Sequence, residues 1–164
     1  MHETNQGAAP LEEEVGRLLR ERGWTLATAE SCTGGLIGHL ITNIPGSSAY
    51  FLGGVVAYAN KVKEEVLGVP AELLRAHGAV SQEAALAMAQ GVRRLLKTNV
   101  GLAATGIAGP SGGTPEKPVG TVLIAISSPL GDKVRRLQAS ADRIGNKQRS
   151  AEAALRLLEE LLRR

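Results

Sequence analysis

Three short apolar runs, Trp24–Ala29, Phe51–Ala59 and Val100–Ala104, constrain this chain most. Each has the length and β-type composition of a strand. Between them lie segments with helical spacing. Leu11, Val15, Leu18 and Leu19 mark a helix that Gly23 stops. Leu36 to Ile44 forms another, ended by Pro45-Gly46-Ser47-Ser48. Lys61–Leu67 and Ala71–His77 read as short helices split by Gly68-Val69-Pro70, and Ser81 caps a long helix to Lys97. Phe51–Ala59 reads as a buried strand. Two further strands, Val119–Ser127 and Lys133–Ala139, join at Pro129-Leu130-Gly131-Asp132 as a hairpin. A helix marked by Ala151, Ala154, Leu155, Leu158, Leu161 and Leu162 follows. Strands alternating with helices predict an α/β domain over residues 11–164. Its sheet is expected to be mixed and mostly parallel, with about five strands, one of them antiparallel. Residues 1–10 are polar, lack the features of a signal peptide, and are expected to form a loose leader.

Composition narrows the function. The four aromatic residues cannot build a stacking platform for single-stranded nucleic acid. A net charge of +3 is too mild to imply nucleic acid or a membrane surface. Charge is uneven, however. Lys133, Arg135, Arg136, Arg143, Lys147 and Arg149 face only Asp142 between positions 133 and 149, which suits a small anion. Cys32 is the only cysteine, so no intrachain disulfide forms and a reducing cytoplasm is expected. His2, His39 and His77 have no metal-ligand spacing, and no metal site is expected.

In mostly parallel sheets, ligands bind at the carboxyl ends of the strands. Three segments there carry chemistry: Glu30–Gly35, Tyr58–Lys63 and Thr105–Gly113. Ser31 lies where a strand turns toward a helix, so free N–H groups at the helix start could serve an oxyanion. It is either a nucleophile or a helix cap. Cys32 competes for the same role, because a thiol at a helix N-terminus would have a lowered pKa. A serine nucleophile needs a base, and Tyr58, Lys61 and Lys63 are the candidates. A buried lysine with a lowered pKa would serve, whereas an exposed one would not. The stretch 105–120 holds five glycines and three prolines. It has neither the lysine spacing of a P-loop nor a helix opening for a dinucleotide fingerprint. It is a phosphate or ribose cradle, or else a surface loop.

The ordered motifs go further. Ala29-Glu30-Ser31-Cys32-Thr33-Gly34-Gly35 precedes Gly54-Val55-Val56-Ala57-Tyr58-Ala59-Asn60 and Lys63. His77-Gly78-Ala79-Val80-Ser81, Gly106-Ile107-Ala108-Gly109-Pro110 and Lys117-Pro118-Val119-Gly120-Thr121-Val122 follow. From about residue 11 to 162 the chain closely resembles the C-terminal domain family of the competence-damage-inducible protein CinA. Stand-alone members of that family are nicotinamide mononucleotide amidohydrolases. The resemblance implies a three-layer α/β/α fold. It also implies hydrolysis of the carboxamide of nicotinamide mononucleotide to nicotinate mononucleotide and ammonia, a step in pyridine nucleotide recycling, without a cofactor.

The resemblance places the nucleophile at Ser31, the base at Lys63 in preference to Lys61, and Tyr58 and Thr105 beside them as catalytic residues. Substrate contacts fall to Glu30, Cys32, Thr33, Gly34, Gly35, Asn60, Gly106 and Gly109. The family's Gly-Asp-Arg, with a further Arg four residues on, reads here as Ala141-Asp142-Arg143 and Lys147. Lysine cannot reproduce a bidentate fork, so Arg149 or Arg143 is expected to take the phosphate over from Lys147. The expected partner is a small nucleotide, with no nucleic acid or membrane, and a homo-oligomer is expected. Two alternatives stay open at this point. One is a non-catalytic nucleotide-sensing or interaction domain, and the other is a serine amidase acting on another substrate.

Overall fold

A computed structural model describes residues 7–164. Of the expected leader, residues 1–6 lie outside the described residues, and 7–10 have no regular secondary structure. The sheet is built from β1 (Leu26–Glu30), β2 (Phe51–Val56), β3 (Val100–Gly106), β4 (Thr121–Ser127) and β5 (Lys133–Gln138). Their order is β2-β1-β3-β4-β5. β2 and β3 run parallel to β1, β4 runs against β3, and β5 runs against β4. Only β4 is therefore reversed, as the alternation of strand and helix patterns predicts.

Helices cover both faces. Leu102, Val122, Ile124 and Ile126 point to a core shared with α1 (Leu11–Arg22), α2 (Leu36–Thr42) and α6 (Arg143–Leu162). Ala27, Ala29, Ala103 and Ala125 point the other way, toward α5 (Gln82–Leu96) and the short α3 (Asn60–Glu65) and α4 (Ala71–His77). This period-2 alternation yields three layers. The alanine face lets α5 lie close to the sheet. A Cβ on Gly101 would stand 2.1 Å from the Ala89 carbonyl oxygen, and one on Gly91 would stand 2.1 Å from that of Leu67.

The helix boundaries have local causes. Gly23 takes the left-handed conformation (φ 65°), and the N–H of Trp24 returns to the Leu19 carbonyl, closing α1. The Ser81 hydroxyl accepts from Ala84 N–H at 3.1 Å and opens α5. Asp142 does the same for α6, accepting from Gly145 N–H at 2.8 Å. That cap starts α6 eight residues before the apolar repeat at Ala151, so Arg143, Lys147 and Arg149 share one helix.

One expectation fails. The strand at Phe51 is not buried, because it stops at Val56 and forms an edge of the sheet. Only β1 pairs with it, which leaves Leu52 and Val56 half exposed. An apolar run looks the same whether one neighbour or two will cover it. Among the described residues, no helix is long and apolar enough to cross a membrane.

Candidate active site

β1 stands at the topological switch point. The chain leaves its carboxyl end through α2 to reach β2 on one side, and later returns through α5 to β3 on the other. Ser31 occupies that end. Its N–H donates to the Ala104 carbonyl on β3 at 2.9 Å, while Ala57 N–H donates to the Glu30 carbonyl at 2.8 Å. Both neighbouring strands therefore hold the Ser31 backbone.

Lys63 reaches Ser31 from the other side. Its Nζ lies 3.2 Å from Ser31 Oγ, 2.8 Å from the Ala57 carbonyl oxygen and 3.1 Å from that of Tyr58. The residue is 1% exposed. Burial lowers its pKa from the ordinary lysine value, and the neighbouring Cys32 opposes this weakly. A neutral amine has two N–H bonds and one lone pair. With two of its positions on the two carbonyls, the amine turns its third toward Ser31 Oγ, where loss of a proton would leave a lone pair facing the serine hydroxyl. Lys61 is exposed and lies within 3.9 Å of Glu65. Two residues along a helix is about 200° of rotation, so one lysine faces in and the other out.

Ser31, Cys32, Tyr58, Asn60, Lys63, Thr105, Gly106 and Arg143 line one cavity of about 210 Å³. Thr105 is buried, and its hydroxyl donates to the Ala79 carbonyl at 2.9 Å, which leaves its oxygen as an acceptor toward the cavity. Gly106 has no room for a side chain, since a Cβ would meet the Thr121 carbonyl oxygen at 2.7 Å. Arg143 spans the mouth, donating to the Gly109 carbonyl at 2.6 Å and to the hydroxyl of the exposed Tyr58 at 3.1 Å. A second cavity, of about 370 Å³, adjoins the same turn and includes Thr33, Gly34, Gly35 and Lys147. A methyl group on Gly34 would stand 3.5 Å from Lys147 Nζ. Among the described residues, neither Arg143 nor Lys147 has a carboxylate partner. A larger cavity, between α1 and the turn before β2, holds none of these groups.

Some placements differ from the sequence reading. The helix after Ser31 begins only at Leu36, and its first N–H groups are already taken. The buried Glu30 carboxylate accepts from Ile37 N–H (2.8 Å), Gly38 N–H (3.0 Å) and the Thr33 hydroxyl (2.6 Å). Glu30 thus neutralises the helix start and does not line the cavity. The donors left for an oxyanion lie in the turn itself. Gly34 N–H returns to the Ser31 carbonyl, but among the described residues the N–H groups of Cys32 and Thr33 have no acceptor. Gly34 (φ 61°) and Gly35 (φ 102°) give the turn its shape. Cys32 is not an activated thiol, because burial pushes its pKa up to about 11. Arg149 is exposed about 200° around α6 from Lys147 and lines neither cavity. Arg135 is spent on Glu160 and Arg136 on the Glu116 carbonyl, so only two of the six clustered cations face the cavities.

The CinA C-terminal domain family model matches residues 8–162. The chain belongs to the CinA C-terminal domain family. It is 53% identical over 157 residues to a CinA-like protein of Chloroherpeton thalassium, covering 93% of this chain and 37% of that protein. It is 54% identical over 149 residues to a CinA-like protein of Salinibacter ruber, covering 91% of this chain and 36% of that one. The chain thus spans little more than a third of the curated relatives it matches. Among solved structures, the competence damage-inducible protein A of Klebsiella pneumoniae superposes with a TM-score of 0.89 at 36% identity, covering 93% and 94% of the two chains. CihA of Agrobacterium tumefaciens, a competence/damage inducible protein, gives 0.87 at 39% identity, covering 94% and 96%. The CinA domain thus carries its Ser31–Lys63 pair on a fold shared with these structures.

Sequence reasoning missed the Ala57 and Tyr58 carbonyls that orient Lys63, because backbone acceptors carry no residue signature. It also missed Asn146, which is buried in the first turns of α6. Asn146, Ser150 and Ala154 follow a four-residue spacing on the core face, and a polar amide on such a stripe is a legible signal.

Proposed function

We propose that this CinA domain hydrolyses the carboxamide of nicotinamide mononucleotide to nicotinate mononucleotide and ammonia. The observation that carries this reading is the buried Lys63 amine 3.2 Å from Ser31 Oγ, with two carbonyls fixing its N–H bonds. A serine nucleophile with a desolvated lysine base is an acyl-transfer device. Ser31 Oγ attacks the carboxamide carbon as Lys63 takes the hydroxyl proton. The oxyanion meets the N–H groups of Cys32 and Thr33. Lys63 passes its proton to the amide nitrogen, the C–N bond breaks, and ammonia leaves. Water, deprotonated by the same amine, attacks the acyl ester. The ester bond breaks, Ser31 regains its proton, and the carboxylate departs. The cationic pyridinium ring withdraws electrons, so this amide is attacked more readily than a peptide bond.

The phosphate falls to Arg143 and Lys147, the two clustered cations that line the cavities. Tyr58 is the one aromatic side chain of the cavity lining, so beyond it the ring rests on backbone and on the aliphatic Ala79, Val80 and Ala108. The test is ammonia release from a panel: nicotinamide mononucleotide, nicotinamide riboside, free nicotinamide, and glutamine. The reading expects the mononucleotide to give the highest kcat/KM. Equal turnover of glutamine, or no turnover of any pyridine, would overturn it and favour another amidase or a binding domain.

A further inference from the structure

We infer that Asn146 is a positioning residue that sets Arg143 against the catalytic cavity and Lys147 against the adjoining one, and so determines preference for a phosphorylated substrate. The inference rests on the amidohydrolase reading above. Asn146 is 1% exposed. Its Nδ2 donates to the Ala108 carbonyl at 3.0 Å, and its Oδ1 accepts from Ala141 N–H at 2.9 Å. The first bond ties α6 to the glycine-rich loop whose Ala108 lines the cavity with Ser31 and Lys63. The second fixes the chain as it approaches α6. The two cations flank this anchor, Arg143 three residues before it and Lys147 one residue after.

The rest of the first turn cannot do the same work. The Asp142 cap bonds only within α6 itself. Arg143 does reach the loop, at the Gly109 carbonyl, but that arm must turn to a phosphate when one arrives. Asn146 is therefore the polar tie that holds helix and loop together while Arg143 changes partner. Burying an amide here costs desolvation that an aliphatic side chain would avoid, so its return is geometry rather than raw stability.

Asn146→Leu keeps the branched shape and removes both hydrogen bonds, and Asn146→Ser is a smaller companion in case the leucine variant fails to fold. kcat/KM would be measured for nicotinamide mononucleotide and for nicotinamide riboside, which lacks the phosphate. The binding of inorganic phosphate would be measured by calorimetry on the same proteins. The inference predicts that mononucleotide kcat/KM falls at least about tenfold, chiefly through KM, because ångström-scale misplacement is that costly. Riboside kcat/KM should change less than about twofold, and phosphate affinity should fall with the mononucleotide value. A parallel loss on both substrates, or no loss on either, would overturn it. Wild-type protein inactive on both substrates would instead defeat the amidohydrolase reading, with the phosphate titration still reporting on Asn146.

Discussion

Lys63 and Lys61 are two residues apart, alike in sequence and opposite in consequence. Helix rotation alone sends one into the cavity and the other toward Glu65. A charge-rich Lys-Val-Lys-Glu-Glu run gives no sign of this, which is why the residues themselves left the base open. Burial lowers the Lys63 pKa, so kcat/KM should rise with pH along a single-proton limb whose midpoint lies below the ordinary ~10.4. A pH–rate profile checks this, and a midpoint at or above that value would contradict it. The same shift acts on stability. Between the lowered value and ~10.4 the unfolded chain binds more protons than the folded one, so stability rises with pH in that window. On lowering the pH, that stability is lost across the window and levels off below the lowered value, where the amine carries its proton in both states. Lys63→Met should flatten that part of a denaturation profile. Cys32 makes the complementary case. With its pKa near 11, the thiol is protonated at neutral pH and should react with iodoacetamide far more slowly than glutathione does. Rapid alkylation of native protein would revive the thiol as nucleophile.

At the scale of elements, the strand–helix alternation and the helix stops were legible because glycine and capping residues impose them locally. Gly23, Ser81 and the glycines after Ser31 each supply a conformation or an acceptor that the backbone needs. The environment of β2 was not legible, since edge or centre is decided by which strands come later. The close seat of α5 on the sheet was also hidden, because alanine and glycine there look like filler. Gly101→Ala should destabilise the domain by about 1–3 kcal/mol or more, as overpacking does. Thermal denaturation checks this, and an unchanged melting temperature would mean that α5 shifts at no cost. Glu30 was assigned to substrate from its motif. The structure instead spends its carboxylate on α2, a tertiary fact that spacing could not reveal.

At the scale of the whole molecule, fold and chemistry meet at one place. The ends of β1, β2 and β3 bring Ser31, Tyr58 and Gly106 to one cavity, from positions that span 75 residues of chain. Parallel topology made that convergence readable before any distance was known. The field over the cavity was only half readable, since four of the six clustered cations point elsewhere. Two cations without a carboxylate partner beside a mild net charge of +3 make a local rather than a global attraction. KM for nicotinamide mononucleotide should therefore rise with salt, while KM for nicotinamide riboside stays level. Steady-state kinetics across an ionic-strength series would check this, and equal salt dependence would remove the phosphate from Arg143 and Lys147.

Ser31 is the residue on which the chemistry depends. Ammonia release from nicotinamide mononucleotide should be measured for the wild-type protein, Ser31→Ala and Cys32→Ala side by side. The wild-type and Cys32→Ala proteins should turn over at similar rates. Ser31→Ala should lose at least about a thousandfold in kcat, as nucleophile deletions do. Undiminished turnover in Ser31→Ala, or its loss in a folded Cys32→Ala, would contradict the serine–lysine mechanism.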